Sequence, residues 1–257
     1  MPTIDKAEHL LALHQDPALL KLVNVWDVIS ARVVADVPGT TALATASHSI
    51  ASSYGFPDGE QIPADLMIEA VGRVTAATEL PVSADLEAGY GNPGETVRKA
   101  IAVGVVGANI EDEMKPLAEA VAAVEAVVSA GEREGVSFVL NARTDAYLRA
   151  GDRPAADVLA DAIERGRAYL DAGAACVFVP GLLDEETVRA LVEAFGRQRL
   201  SVIGVPGTLP LNRLEELGVA RISYGPWSQR AALTALNDLT ADVIAGGALP
   251  EGTRPLN

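Results

Sequence analysis

Residues 176–204 read CVFVPGLLDEETVRALVEAFGRQRLSVIG, and this stretch holds one complete strand–helix–strand unit. Cys176–Gly181 is a short, mostly apolar run, as a strand covered on both faces should be. Asp184 stands where a helix needs its N-cap, with Glu185 and Glu186 in the first turn, where the helix dipole favours negative charge. Val188, Leu191, Val192 and Phe195 recur at helical spacing and form one apolar face. Gly196 closes that helix, and Leu200–Gly204 opens a second apolar run.

Outward from this unit the pattern repeats. Further strand-like runs lie at Leu22–Trp26, Ala42–Ser47, Pro81–Glu87, Gly107–Asp112, Ser137–Thr144 and Ala220–Gly225, eight in all, starting about every 28 residues. Met67, Ala70, Val71 and Val74 mark one intervening helix; Leu117, Val121, Val124 and Val128 mark another. Asp152 with Pro154 starts a third, which Gly173 ends, and Asp27 reads as the N-cap of a helix from Val28 to Val37. Eight β/α units predict an α/β fold, a single (β/α)8 TIM barrel over residues 1–257, with an extra N-terminal helix near Lys6–Gln15. A doubly wound open sheet is the rival, but no GxGxxG follows the first strand and it rarely needs eight regular units.

Apolar residues make up 49 % of the chain, enough for a large core. Acidic residues outnumber basic ones 35 to 20, a formal charge of −15. Such a surface repels phosphate backbones and anionic lipid, so neither nucleic acid nor membrane is an expected partner. The opening MPTIDKAEHL lacks the features of a signal peptide, and no apolar run approaches the roughly 18 residues of a membrane span. The single cysteine, Cys176, excludes an internal disulfide, fits a cytoplasmic setting and, between Ala175 and Val177, reads as an inert core thiol. Three histidines leave too little imidazole for a typical zinc site, so any metal would be held by carboxylate oxygen.

In a barrel the reactive groups sit at the C-terminal ends of strands. The third run ends Ala84-Asp85-Leu86-Glu87, and residues two apart on a strand point to the same side. Two carboxylates there repel each other unless a cation or proton neutralises them. The next run ends Asn109-Ile110-Glu111-Asp112, adding acid at the neighbouring position, and hard oxygen donors of this kind suit Mg²⁺ or Mn²⁺. The same acids would also serve as solvated loop residues or as ion-pair partners of Arg143 and Lys115. Arg143 itself either captures a substrate carboxylate or bridges to Glu111 or Asp85. Thr45-Ala46-Ser47 ends the second run with hydroxyls and N–H groups able to hold an anion, and the following His48 reads more readily as a packed or surface histidine than as an acid–base catalyst. The glycines of Gly204–Thr208 and Gly225 are turn residues or a phosphate cradle. The cradle gives a second function, a phosphosugar aldolase or isomerase, and a catalytically silent carboxylate-binding barrel is the third.

Four segments, Tyr54–Glu60 (YGFPDGE), Pro81–Asn92 (PVSADLEAGYGN), Gly107–Asp112 (GANIED) and Asn141–Asp145 (NARTD), together make the chain resemble the isocitrate lyase / phosphoenolpyruvate mutase superfamily over nearly its whole length. The resemblance implies a barrel that forms a homo-oligomer, dimer or tetramer, with the eighth helix swapped between subunits. It implies a Mg²⁺ site that makes or breaks C–C or C–P bonds of a small 2-oxo or 2-hydroxy carboxylate through a pyruvate-enolate-like intermediate. It assigns the metal to Asp85, Glu87 and Glu111, with Asp85 the direct ligand. It assigns catalysis to Asp58, Arg143 and Glu111, and substrate binding to Thr45, Ala46, Ser47, Asp85 and Arg143. Two departures stand out. Where lyases of the superfamily carry a Lys-Lys-Cys-Gly-His loop, Glu113-Met114-Lys115-Pro116 runs straight into the next helix. Where they carry a glutamate, this chain has Val179-Pro180-Gly181. A standard isocitrate or methylisocitrate lyase is therefore not implied. Decarboxylation of an oxaloacetate-like acid or a retro-aldol cleavage fits better, since a shortened loop leaves a site more open to water. The segment from Ser49 to Gln61, or another subunit, is left to supply a small lid. The last helix, with Leu233, Leu236, Leu239 and Val243, suits a partner interface or its own barrel equally.

Overall fold

The computed structural model describes residues 2–256. Its elements run α1 (Thr3–Gln15), β1 (Leu20–Leu22), β2 (Asn24–Val25), α2 (Val28–Ala35), β3 (Leu43–Thr45), α3 (Ser47–Ser53) and α4 (Ala64–Ala76). Then come β4 (Val82–Asp85), α5 (Pro93–Ala102), β5 (Gly107–Glu111), α6 (Leu117–Arg133), β6 (Val139–Arg143) and α7 (Ala155–Asp171). The chain finishes with β7 (Cys176–Phe178), α8 (Glu185–Phe195), β8 (Leu200–Ile203), α9 (Leu211–Leu217), β9 (Arg221–Ser223) and α10 (Trp227–Ile244). Among the described residues, nine parallel strands in the order β1-β9-β8-β7-β6-β5-β4-β3-β2 form a nearly closed α/β barrel with ten helices.

The first expected strand is two pieces on either side of Val23: β1 pairs with β9 and β2 with β3. Asn24 knits this seam through its side chain. Nδ2 donates to the Thr45 carbonyl at 2.7 Å, while Oδ1 accepts from the N–H groups of Tyr224 and Gly225 at 2.7 and 2.8 Å. A side-chain amide here does the work that ladder hydrogen bonds do elsewhere, which is why the strand can break without orphaning the backbone of its neighbours.

Local chemistry places the helices. Asp27 caps α2 with a reciprocal capping box to Ser30, although the helix ends at Ala35, two residues short of expectation. Asp184 caps α8 through the N–H of Thr187, and Gly196 stops it with φ +93°. The helix expected to start at Asp152 and Pro154 begins at Ala155, with Pro154 in the N-cap position of α7 and no side chain capping it. On α6 the enclosed stripe is Ala120, Val124, Val127 and Ala130, turned from the expected one, with Leu117, Val121 and Val128 packed at its margin. At the end of this stripe Gly131 lies so near Phe138 that a Cβ there would come within 2.8 Å of it. At the opposite end of the barrel from the strand C-termini, α1 inserts Leu10; a Cβ on Gly107 would lie 2.9 Å from Leu10 Cδ2 and 2.7 Å from the Val139 carbonyl oxygen, so that approach requires glycine. Cys176 is buried, and its burial pushes the thiol up to about 12, which keeps it protonated and unreactive.

The final helix is different from the rest. Of all its residues only Gln229 is buried, held by bonds to the Ser49 carbonyl and the Ser53 hydroxyl, while Leu233 and Leu236 are more than half exposed and Ile244 is 83 % exposed. No helix among the described residues is long and apolar enough to cross a membrane.

Candidate active site

The strand C-termini deliver their last side chains to one mouth. Asp85, Glu111 and Arg143 are the final residues of β4, β5 and β6, and Thr45 ends β3. Above them lies a cavity of about 750 Å³, lined by Asn24, Ala46, Ser47, His48, Asp58, Asp85, Asn109, Arg143 and Ser223, with a largely apolar wall from β7, β8 and the loops after them.

Asp85 is fixed from two sides. Its Oδ2 accepts from the Ser47 N–H at 3.1 Å and the Ser47 hydroxyl at 2.8 Å, and its own N–H donates to Thr45 Oγ1 at 3.0 Å. Oδ1 is therefore the oxygen left for a ligand. The carboxylate grip expected from Thr45-Ala46-Ser47 is correspondingly reduced: Ala46 and Ser47 line the cavity, but the donors of Ser47 are engaged by Asp85, and Thr45 is fully buried beneath it.

Glu87 does not follow the strand rule. β4 stops at Asp85, and Glu87 lies in a turn with φ +53°, so its side chain no longer alternates in step with Asp85. It accepts hydrogen bonds from the Glu60 N–H and, at 3.2 Å, from the Tyr90 hydroxyl, while the Tyr90 N–H donates to Glu60 Oε1 at 2.6 Å. These reciprocal bonds latch the 49–61 segment onto the 87–90 turn. Asp58 is thereby held at the cavity rim, where its Oδ2 lies 3.3 Å from His48 Nδ1.

Glu111 and Arg143 are ladder partners, joined by an ion pair of 2.6 Å between Glu111 Oε2 and Nη1; Nε of the same guanidinium bonds Asp145 Oδ1 at 2.7 Å. Asp145 is positioned by Asp112, whose Oδ1 takes its N–H at 3.0 Å and whose Oδ2 takes the Tyr169 hydroxyl at 2.7 Å. With Nε and Nη1 of Arg143 engaged by carboxylates on two edges of the guanidinium, Nη2 between them is the nitrogen left to meet a substrate in the cavity.

Among the described residues no three His, Cys, Asp or Glu side chains stand gathered as ready ligands for one ion. The charge balance nevertheless suits a divalent cation. Burial, together with the charges of Asp85 and Asp58, pushes Glu87 up to about 7. Burial pushes Glu111 up to about 8, the carboxylates of Asp145, Asp85 and Glu87 adding to that against the pull of Arg143. Glu111, Asp145 and Asp85 act on the Arg143 guanidinium, with Asp85 and Asp58 acting in turn on Glu87; hard oxygen donors of this kind are the type that Mg²⁺ or Mn²⁺ takes.

The turns that could have cradled a phosphate are closed on themselves. The Val205 N–H donates to Thr208 Oγ1 at 2.9 Å, the Thr208 N–H to the Val205 carbonyl at 3.0 Å, and the Gly225 N–H goes to Asn24. The donors that a phosphosugar enzyme needs there are already engaged.

Residues 10–244 match the family model described as phosphoenolpyruvate phosphomutase. The chain belongs to the phosphoenolpyruvate mutase family. It is a lyase- or mutase-like enzyme of the PEP mutase/isocitrate lyase superfamily. A "putative phosphonomutase" from Burkholderia cenocepacia J2315 is 41 % identical, with a TM-score of 0.86 over 96 % of this chain and 100 % of that one. The oxaloacetate decarboxylase of Rhodopseudomonas palustris (strain ATCC BAA-98 / CGA009) is 31 % identical over 259 residues, 96 % of this chain and 88 % of its own. Oxaloacetate acetylhydrolase in complex with the product oxalate is 25 % identical, with a TM-score of 0.87 over 99 % of this chain and 92 % of that one. Within this mutase-family barrel, the short connection after β5 is made by Glu113 and Met114 at φ +47° and +57°, with Lys115 paired to Glu113 at 2.6 Å.

Several residues of the site escaped the sequence reading. Asn24 and Asn109 line the cavity and Asp145 holds Arg143, but none of the three carried a spacing signal of its own. Position was the one clue: Asp145 directly follows an expected strand run, whereas Asn24 and Asn109 lie within theirs.

Proposed function

We propose that this protein is a Mg²⁺- or Mn²⁺-dependent lyase that cleaves a small 2-oxo or 2-hydroxy carboxylate through a pyruvate-enolate-like intermediate. Decarboxylation of an oxaloacetate-like acid and retro-aldol cleavage are its leading chemistries. The observation that carries the reading is the cavity floor, where the free oxygen of Asp85 and the free arm of Arg143 face one space amid an excess of carboxylate.

In this reading Asp85 would hold the ion directly, with Glu87 and Glu111 acting through water. The bound ion supplies charge stabilisation where oxygen becomes negative. Arg143 orients the substrate carboxylate, with Glu111 and Asp145 holding its fork in place. His48, oriented by Asp58, carries a proton at its ring nitrogen to or from the reacting carbon, a task the absent cysteine loop leaves open. The apolar wall limits water at the opposite side. The setting is taken as cytoplasmic, on the strength of a lone buried thiol.

Oxalate, which mimics enolpyruvate, is the test ligand. It should raise the melting temperature in the presence of Mg²⁺ and do so far less without it, and a panel of 2-oxo, 2-hydroxy and phosphono acids should then yield a turned-over substrate. His48→Gln should keep the oxalate shift and lose turnover. No oxalate response under either condition would sink the reading; oxalate binding without turnover of any acid would favour a silent carboxylate-binding barrel.

The reading includes a homo-oligomer with α10 exchanged between subunits. A helix with a single buried residue and a row of exposed leucines leaves apolar surface that association would cover. Light scattering should give a dimer or tetramer mass, and a monomer at micromolar concentration would contradict the exchange.

A further inference from the structure

Beneath the cavity floor, the barrel interior encloses a cation that makes no ion pair among the described residues, Asp85 being the carboxylate that acts on it from a distance. Arg221, on β9, is completely buried; Nη1 donates to Ser83 Oγ at 3.0 Å, Nη2 to Asn109 Oδ1 at 3.3 Å, and Nε has no hydrogen-bond partner. Burying a guanidinium without a paired carboxylate is expensive. Burial accordingly lowers its pKa, to about 10, where it still carries its charge at neutral pH. A cost of that kind calls for a return in function.

The return lies in how the cation sets Asn109. A guanidinium only donates, so the Asn109 oxygen has to be the end that faces it. Asn141 Nδ2 donates to the same oxygen at 2.8 Å and to Ser201 Oγ at 3.3 Å. With its oxygen held by Arg221 and by Asn141 of the neighbouring strand, Asn109 has its NH₂ group left for the cavity that it lines. It is also the ladder partner of Asp85.

We infer that Asn109 is a substrate-binding residue, its side-chain N–H donating to an anionic oxygen of the bound acid, with Arg221 and Asn141 as the positioning residues that lock its orientation. The inference rests on the functional reading above and extends it to a residue that reading does not use. In a mouth crowded with carboxylates an anionic substrate needs fixed donors, and a donor already aimed requires no reorganisation when negative charge develops on the oxygen it faces.

Asn109→Asp keeps an acceptor for Arg221 and replaces the donor by a carboxylate oxygen. At pH 8 in Mg²⁺ this variant should melt no lower than wild type yet bind oxalate about 100-fold more weakly, the scale of losing a hydrogen bond to a charged group. The Asn109 side-chain NH₂ resonances, assigned by their absence in that variant, should shift on oxalate saturation of the wild type, an effect that a purely structural role would not produce. Arg221→Gln should weaken oxalate binding as well, by loosening the amide. Asn109→Asp binding within threefold of wild type while Arg143→Met loses binding would overturn this inference alone, as would unmoved Asn109 resonances at saturation. A wild-type protein that takes up no oxalate with Mg²⁺ would overturn the functional reading and this inference with it.

Discussion

Replacing Asp85 by asparagine is expected to lower Mg²⁺-dependent kcat/KM by at least about a thousandfold, the size of effect that follows from losing several kcal/mol of transition-state stabilisation. The substitution is nearly silent in shape. An amide oxygen can still accept from Ser47, and the bond from the backbone N–H to Thr45 does not involve the side chain. What disappears is one negative charge and the anionic oxygen facing the cavity. Neutralising Asp85 relieves its repulsion of Glu87 and Glu111 and removes its attraction for Arg143 and Arg221, so the variant should melt close to the wild-type temperature. Asp85→Ala should lose activity equally but also strands the Ser47 hydroxyl. A fully folded asparagine variant with wild-type turnover would remove Asp85 from the mechanism altogether.

Arg143→Met is expected to damage both activity and stability, with a loss in kcat/KM of about a thousandfold again, because an oriented charge-assisted contact to the substrate carboxylate disappears. Its two protein partners are left behind. Glu111 and Asp145 are both largely enclosed, and breaking a buried ion pair by removing one member is strongly destabilising. The loss should sit at the low end, about 3 kcal/mol in urea unfolding at pH 7, since Glu111 is already pushed upward by burial and can take a proton. Arg143→Lys should recover part of the stability and little of the activity: an ammonium can meet one carboxylate but not hold Nε and Nη1 contacts at once. Oxalate affinity unchanged in the methionine variant would show that the substrate is held elsewhere.

The barrel itself was legible because its signals are local. A cap such as Asp184 or Asp27 acts within three residues, and the alternation of apolar runs with helical stripes needs no knowledge of the partner. Errors entered where distant groups decide. The break at Val23 depends on Asn24 reaching Tyr224 and Gly225, which no periodicity reports. Which stripe of α6 is enclosed is a matter of neighbouring volume rather than of hydrophobicity. In the site, Asp85 and Arg143 were found because strand ends were the right place to look. Glu87 was placed on the same face as Asp85 by a spacing rule that ceases to hold once the backbone turns left-handed. Asn109 and Arg221 went unnoticed because polar residues inside an apolar run read as flaws in a strand, whereas a barrel interior can pair them with one another.

Asn24 has a consequence for synthesis as well. It is one of the first residues of the barrel to leave the ribosome, yet the N–H groups it needs belong to residues 224 and 225. A nascent chain can therefore assemble most of its staves in order but cannot shut the ring until nearly all of it has emerged. Until that moment the amide of Asn24 and the edge of β1 stay open to water, to chaperones, or to another chain.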